Sequence, residues 1–215
     1  MRGPGYPLTL LAITAVLLGV SGYHPFEMGT WWLEVLPILV AVPILIATYR
    51  RFPLTPLAYT LIFVHACILM LGGHYTYARV PLGFWLQDLF DFSRNHYDRI
   101  GHLAQGFIPA IIAREILLRR TPLRPGGWLF FIICCVCLAI SACYEFIEWW
   151  AALIGGEGAT EFLGTQGDVW DTQWDMLMAL IGSIVAQVVL KPVHDRQLFH
   201  LRQGDGGQAR IGASK

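Results

Sequence analysis

Charge is what this chain has least of. Lysine, arginine, aspartate and glutamate make up 14% of its 215 residues, and the two signs cancel, 15 against 15. A chain with no net charge has no general attraction for nucleic acid. One that is also 55% hydrophobic, with mean hydropathy +0.53, lies outside the range of soluble domains. Other absences narrow the chemistry. There is no nucleophile elbow, phosphate-binding glycine loop, dinucleotide fingerprint or acid-phosphatase signature, which removes several common enzyme classes. No internal repeat is evident. The cysteines Cys67, Cys134, Cys135, Cys137 and Cys143 all fall inside apolar runs, and the CxxC of Cys134 and Cys137 recurs nowhere else in the chain. Neither a zinc ribbon nor a structural disulfide is expected from them; they read as small buried apolar residues. Arg2 precedes an apolar run, but no small-x-small cleavage site follows cleanly in "GVSGYHPF". That run is therefore expected to stay as a helix.

What is present is a series of apolar segments near 7–23, 31–49, 54–72, 100–118, 128–150 and 172–190. Each is long enough to cross roughly 30 Å of hydrocarbon at about 1.5 Å per helical residue. Trp31 and Trp32 open the second and Tyr49, Arg50 and Arg51 close it; Trp128 opens the fifth and Trp149 and Trp150 close it. Such residues anchor spans at the membrane interfaces. Pro53 and Pro56 blur the start of the third, and His65 sits near its middle with no visible partner, a packed polar residue rather than a haem ligand. The expected fold is all-α, a polytopic membrane helix bundle of about six transmembrane helices. Residues 1–195 would form one transmembrane domain and 196–215 a cytoplasmic tail, disordered at least from Gly204 onward.

Twelve of the fifteen basic residues fall on one side of that arrangement: Arg2, Arg50, Arg51, Arg114, Arg119, Arg120, Arg124, Lys191, Arg196, Arg202, Arg210 and Lys215. The other side holds Arg79, Arg94 and Arg99. The excess of Lys and Arg on cytoplasmic loops then puts both termini in the cytoplasm.

This orientation gives the acids a depth. Asp98 and His102, spaced i and i+4, lie at the outer end of the fourth segment. Glu145 and Glu148, spaced i and i+3, lie at the outer end of the fifth. Asp168, Asp171 and Asp175, at i, i+3 and i+7 in "TQGDVWDTQWDM", lead into the sixth, and "GGHYTY" brings His74 to the same level. Each spacing stacks its residues on one helix face. The inner ends hold little beyond arginines and Glu115. A lone carboxylate at such depth costs a few kcal/mol, so these acids need water, a proton, a cation or a base. The helix dipole favours acids in a first turn, and an N-cap role for Asp168 or Asp171 is the competing reading. That account fails for Asp175, a turn further in, and for Glu145 and Glu148 at a helix C-terminus. The loop 80–95, "VPLGFWLQDLFDFSRN", alternates aromatic and acidic residues at near-helical spacing. It reads as a short amphipathic helix on the outer interface, roofing the cluster, with Asp88 and Asp91 solvated.

The stretches "HYTYARVPLGFW", "RNHYDRIGHLAQGFIPAIIAREILLR" and "SACYEFIEWW…FLGTQGDVWDTQWDM" resemble, across about residues 5–195, the YjdF-type bacterial inner membrane proteins, a family of unknown function. The resemblance implies a location in the bacterial inner membrane and a topology, not a reaction. More distantly, Asp98 with His102, Glu145 with Glu148, and Asp171 with Asp175 are similar in order to the pattern of VanZ-like membrane proteins, which carry Gln and Asn at two of these positions. VanZ-like proteins are linked to glycopeptide resistance at the outer leaflet.

Carboxylates with one or two histidines are the ligand set of Mg²⁺, Mn²⁺ or Zn²⁺. The expected ligands are His74, Asp98, His102, Glu145, Glu148, Asp168, Asp171 and Asp175, and Asp98, His102, Glu145, Glu148, Asp171 and Asp175 are the expected catalytic residues. Three readings stay open. One is a metal-dependent hydrolase or transferase acting on a lipid or lipid-linked substrate. The second is a small proton- or cation-coupled transporter, and the third a non-catalytic membrane binding or assembly subunit.

Overall fold

The computed structural model describes residues 5–155 and 166–212, and its regular elements are all helical. They are α1 (Gly5–Ser21), α2 (Met28–Thr48), α3 (Pro56–Tyr75), a 3-10 turn (Tyr77–Arg79), α4 (Pro81–Phe90), α5 (Tyr97–Arg120), α6 (Gly127–Gly155), α7 (Asp171–Val189) and α8 (Lys191–Gly212). Helices α2, α3, α6 and α7 are long and apolar enough to cross a membrane, while α1, equally apolar, has 17 residues. The proline pair that blurs the start of α3 resolves into a cap. Thr55 is the N-cap, its hydroxyl accepting from the Ala58 N–H at 3.3 Å, and Pro56 takes the first turn, where its missing N–H is not needed.

Helix α5 carries Asp98, Arg99, Arg114, Glu115, Arg119 and Arg120 and is less apolar than α1, α2, α3, α6 and α7. The bundle encloses it: α3, α6 and above all α7 pack around it, and thirteen of its 24 residues are buried. One core joins Ile111, Ile133, Ala186 and Leu198 of α5–α8. A second joins Trp31, Val35 and Ile38 of α2 to Ala66, Leu69 and Met70 of α3. Val40 and Ile44 of α2, Phe131 and Phe146 of α6, and Val188 and Val189 of α7 point outward. An apolar belt of that extent is a lipid-facing surface.

The α5–α7 crossing is a backbone contact. A Cβ at Gly106 would run into the Ala179 carbonyl, and one at Gly182 into the Leu103 carbonyl, with the Phe107 nitrogen 2.8 Å away. Small residues let membrane helices approach in this way. Gly182→Val is expected to destabilise by about 1–3 kcal/mol, read as a lower unfolding midpoint in detergent. An unchanged midpoint would mean that the helices do not cross here.

Helix α8 runs across both boundaries of the sequence reading. Residue 195 lies inside it, where Gln197 accepts from the Leu57 N–H (2.8 Å) and Leu198 and Leu201 are buried. Helix α8 also runs through Gly204 to Gly212, over the stretch whose polar, glycine-rich composition reads as disordered; its described packing ends at Leu201.

Candidate functional site

The loop entering α5 is held by Asn95. Its side-chain amide donates to the Val80 carbonyl (3.0 Å) and its Oδ1 accepts from the Tyr97 N–H (3.0 Å). The Gln166 side chain pairs with the Asn95 main chain, donating to its carbonyl at 2.7 Å and accepting from its N–H at 3.3 Å. These bonds fix the start of α5 against the approach to α7.

Asp98 and His102 project from one face of α5, with His102 Nε2 3.6 Å from Asp98 Oδ1. Helix α6 brings Glu145, whose Oε1 lies 3.8 Å from the same nitrogen, together with Glu148. Helix α7 brings Asp175. One ligand atom from each of Asp98, His102 and Asp175 lies within 4.8 Å of the others, and the same holds for His102, Glu145 and Glu148. His102 is thus shared by two ligand triads from three helices.

Several buried polar atoms of this cluster have no partner in the protein among the described residues. Asp175 is 2% exposed, His102 5% and Glu145 8%. Yet Asp175 Oδ1, His102 Nδ1, Glu145 Oε1 and the Tyr144 hydroxyl have no hydrogen-bond partner among the described residues. Buried polar atoms are almost always partnered. Beside them lies a cavity of about 20 Å³, lined by Glu34, His65, Tyr77, Asp98, His102, Gln105, Tyr144 and Glu148 among others. That is room for about one water. Oxygen and imidazole donors with unmet capacity suit a divalent cation such as Mg²⁺, Mn²⁺ or Zn²⁺.

The remaining expected ligands are placed differently. Asp171 is hydrogen-bonded by Arg94. Asp168 accepts from Arg99 at 2.8 Å and from the Trp170 N–H at 3.0 Å, with Arg94 3.9 Å away. These two acids form a salt-bridged rim at the start of α7, and Asp168 acts as a turn cap. His96, beside them, is held below its ordinary pKa by burial and by Arg99 and Arg94, so it is neutral at pH 7. His74 stands elsewhere, its Nδ1 2.8 Å from the Ser21 carbonyl oxygen. Helix α4 forms as expected over Pro81–Phe90, and Asp91 ends it in the left-handed region at φ 54°.

Three features escaped the sequence reading. Glu34, 4% exposed on α2, lines the cavity; a lone carboxylate in an apolar run was its signal. His65 is not merely packed but forms part of the same wall. The opposite end of α5 is richer than its sequence indicates. Glu115, fully buried, accepts from the Thr55 N–H (3.0 Å) and hydroxyl (2.7 Å) and from Arg119 (2.7 Å), and lies 3.2 Å from His194 Nε2. Arg114 donates to His194 Nδ1 (3.0 Å) and Asp195 (2.6 Å). Guanidinium can only donate, so Nδ1 accepts, and the ring proton sits on Nε2 and is donated to Glu115. This network is closed and structural, where the Asp98 end is open.

The chain matches the family described as predicted membrane protein (DUF2238) over residues 6–196. It is 54% identical over 188 residues to the inner membrane protein YjdF of Escherichia coli strain K12, covering 87% of this chain and 90% of that protein. No solved structure matches. With its apolar spans and this relative, the protein is a multi-pass inner membrane protein. It belongs to the DUF2238 family of membrane proteins.

Proposed function

We propose that Asp98, His102, Glu145, Glu148 and Asp175 hold a divalent cation, and that the protein is a metal-dependent hydrolase or transferase acting on a lipid or lipid-linked substrate. Asp171, salt-bridged at the rim, orders the entrance. The observation that carries this reading is the set of buried, unpartnered ligand atoms on Asp175, His102 and Glu145. A bound cation would supply Lewis acidity toward water or a phosphoryl oxygen. The chain's own part is to present the ligands from three helices and to exclude bulk water. Against a proton relay stand the buried Ile108 and Ile111 of α5, which separate the open cluster from the closed Glu115 network. Protein purified without chelator is expected to carry about one equivalent of divalent metal by elemental analysis. Metal-free protein that takes up none on addition of Mg²⁺, Mn²⁺ or Zn²⁺ would remove the proposal.

The same reading places α1, α2, α3, α5, α6 and α7 across the membrane, both termini in the cytoplasm and the cluster facing outward, on the asymmetry of Lys and Arg. A reporter fused after Gly204 is expected to behave as cytoplasmic. One inserted near Gly156, which lies outside the described residues, is expected to behave as external. The reverse pattern would put the cluster on the cytoplasmic side and end the outer-leaflet assignment.

A further inference from the structure

Helices α1 and α2 both lie against α3. They meet at one end, where Trp31 Nε1 donates to Ser21 Oγ at 3.1 Å and Leu17 and Leu18 join the Trp31 core. Toward the other end they enclose a cavity of about 530 Å³, in the size range of small-molecule sites. Leu8 and Leu11 form one wall, Ala41 and Leu45 the other, and Ile62 and Phe63 of α3 the floor. Leu8 and Ile46 line it and are 60% and 59% exposed, so the groove is open sideways to the surrounding lipid.

The polar groups of the lining are placed unevenly. Tyr49, Arg50 and Tyr59 stand at the end where α2 finishes and α3 begins, and His65 and Leu69 at the far end separate the groove from the acidic cavity. From Tyr59 to Leu69 is ten helical residues, about 15 Å, or half of a hydrocarbon core of roughly 30 Å. That is the depth of one leaflet. Arg50 is exposed and makes no ion pair among the described residues, whereas Arg114 and Arg119 at the same end are bound to Asp195 and Glu115. An apolar trough one leaflet deep, open to lipid and headed by an uncommitted guanidinium, matches an amphiphile with an anionic head.

We propose that the α1–α2–α3 groove binds one acyl chain of an anionic glycerophospholipid, with its phosphate at Arg50. The leaflet is the cytoplasmic one if the orientation proposed above holds; the site itself is independent of the metal reading. The test is native mass spectrometry of the full-length protein in neutral detergent, titrated with phosphatidylglycerol or with phosphatidylcholine of the same chains. Wild type is expected to prefer phosphatidylglycerol. Arg50→Gln, a change at an exposed position, is expected to reduce that preference roughly fivefold, the effect of about 1 kcal/mol for one basic residue. Ala41→Trp, which fills the trough, is expected to remove binding of both lipids while leaving the unfolding midpoint in detergent unchanged, which certifies its fold. Equal affinity of wild type for the two lipids, or an unchanged preference in Arg50→Gln, overturns the headgroup assignment. Undiminished lipid binding by folded Ala41→Trp overturns the groove.

Discussion

Replacing Glu115 with leucine should destabilise the protein by about 3–5 kcal/mol, the typical cost of removing one partner from a buried ion pair. The carboxylate is fully buried and receives the Thr55 N–H, the Thr55 hydroxyl and Arg119, with the His194 ring alongside. Leucine satisfies none of them. The Thr55 cap of α3 and the anchorage of α8 through His194 would be lost together, so the effect should exceed that of Thr55→Ala, about 1 kcal/mol for a lost cap. The measurement is the unfolding midpoint in mixed micelles of increasing denaturing-detergent fraction. A Glu115→Leu protein within about 1 kcal/mol of wild type, less than a single ordinary hydrogen bond left unpaired, would show that the network does not hold the helices together. The surviving folded fraction should keep its cation affinity, because Glu115 lies far along α5 from His102.

Asp175→Asn should lower divalent-cation affinity by more than about a hundredfold, since loss of a mere outer-shell partner already costs 10–100-fold. The amide keeps the side chain's shape and is cheaper to bury than a carboxylate, so the variant should insert and fold normally. Its natural control is Asp168→Asn. That carboxylate is already occupied by Arg99 and the Trp170 N–H, and its loss should leave cation affinity within a small factor. Titration calorimetry on metal-free protein separates the two. Equal effects, or an undisturbed Asp175→Asn protein, would reduce the acids to helix-end electrostatics.

The apolar helices were legible in the sequence because apolar runs and terminal tryptophans are local signals, whereas Pro53 and Pro56 hid the Thr55 cap of α3. The stacking of Asp98 on His102 and of Glu145 near Glu148 was legible for the same reason, being helix periodicity alone. What was not legible depends on partners far away in the chain. Asp171 looks like a ligand until Arg94, 77 residues earlier, is seen to hold it. Glu115 looks like a lone snorkelling acid until Thr55, His194 and Arg119 close around it. Glu34, a lone carboxylate in an apolar run, signals burial, but nothing local shows that it meets Asp98 and His102 across the cavity. Likewise the docking of α8 cannot be inferred from its polar sequence, since it depends on Leu198 reaching the core of α5, α6 and α7.

The backbone contact between α5 and α7 has a consequence for the ligands above it. Gly106 lies four residues beyond His102 on α5, and Ala179 four beyond Asp175 on α7, so the touching pair sits one turn along from the facing ligands. Their separation is therefore gauged by main chain against main chain, which has almost no give, and not by adjustable side-chain rotamers. Such a site behaves like a caliper with a locked jaw. Mg²⁺ binds oxygen at about 2.0–2.1 Å and Ca²⁺ at about 2.3–2.6 Å with looser geometry. A cation held here as proposed would be selected by radius, and the glycine at the crossing, one turn from the acids, would set which ion they share.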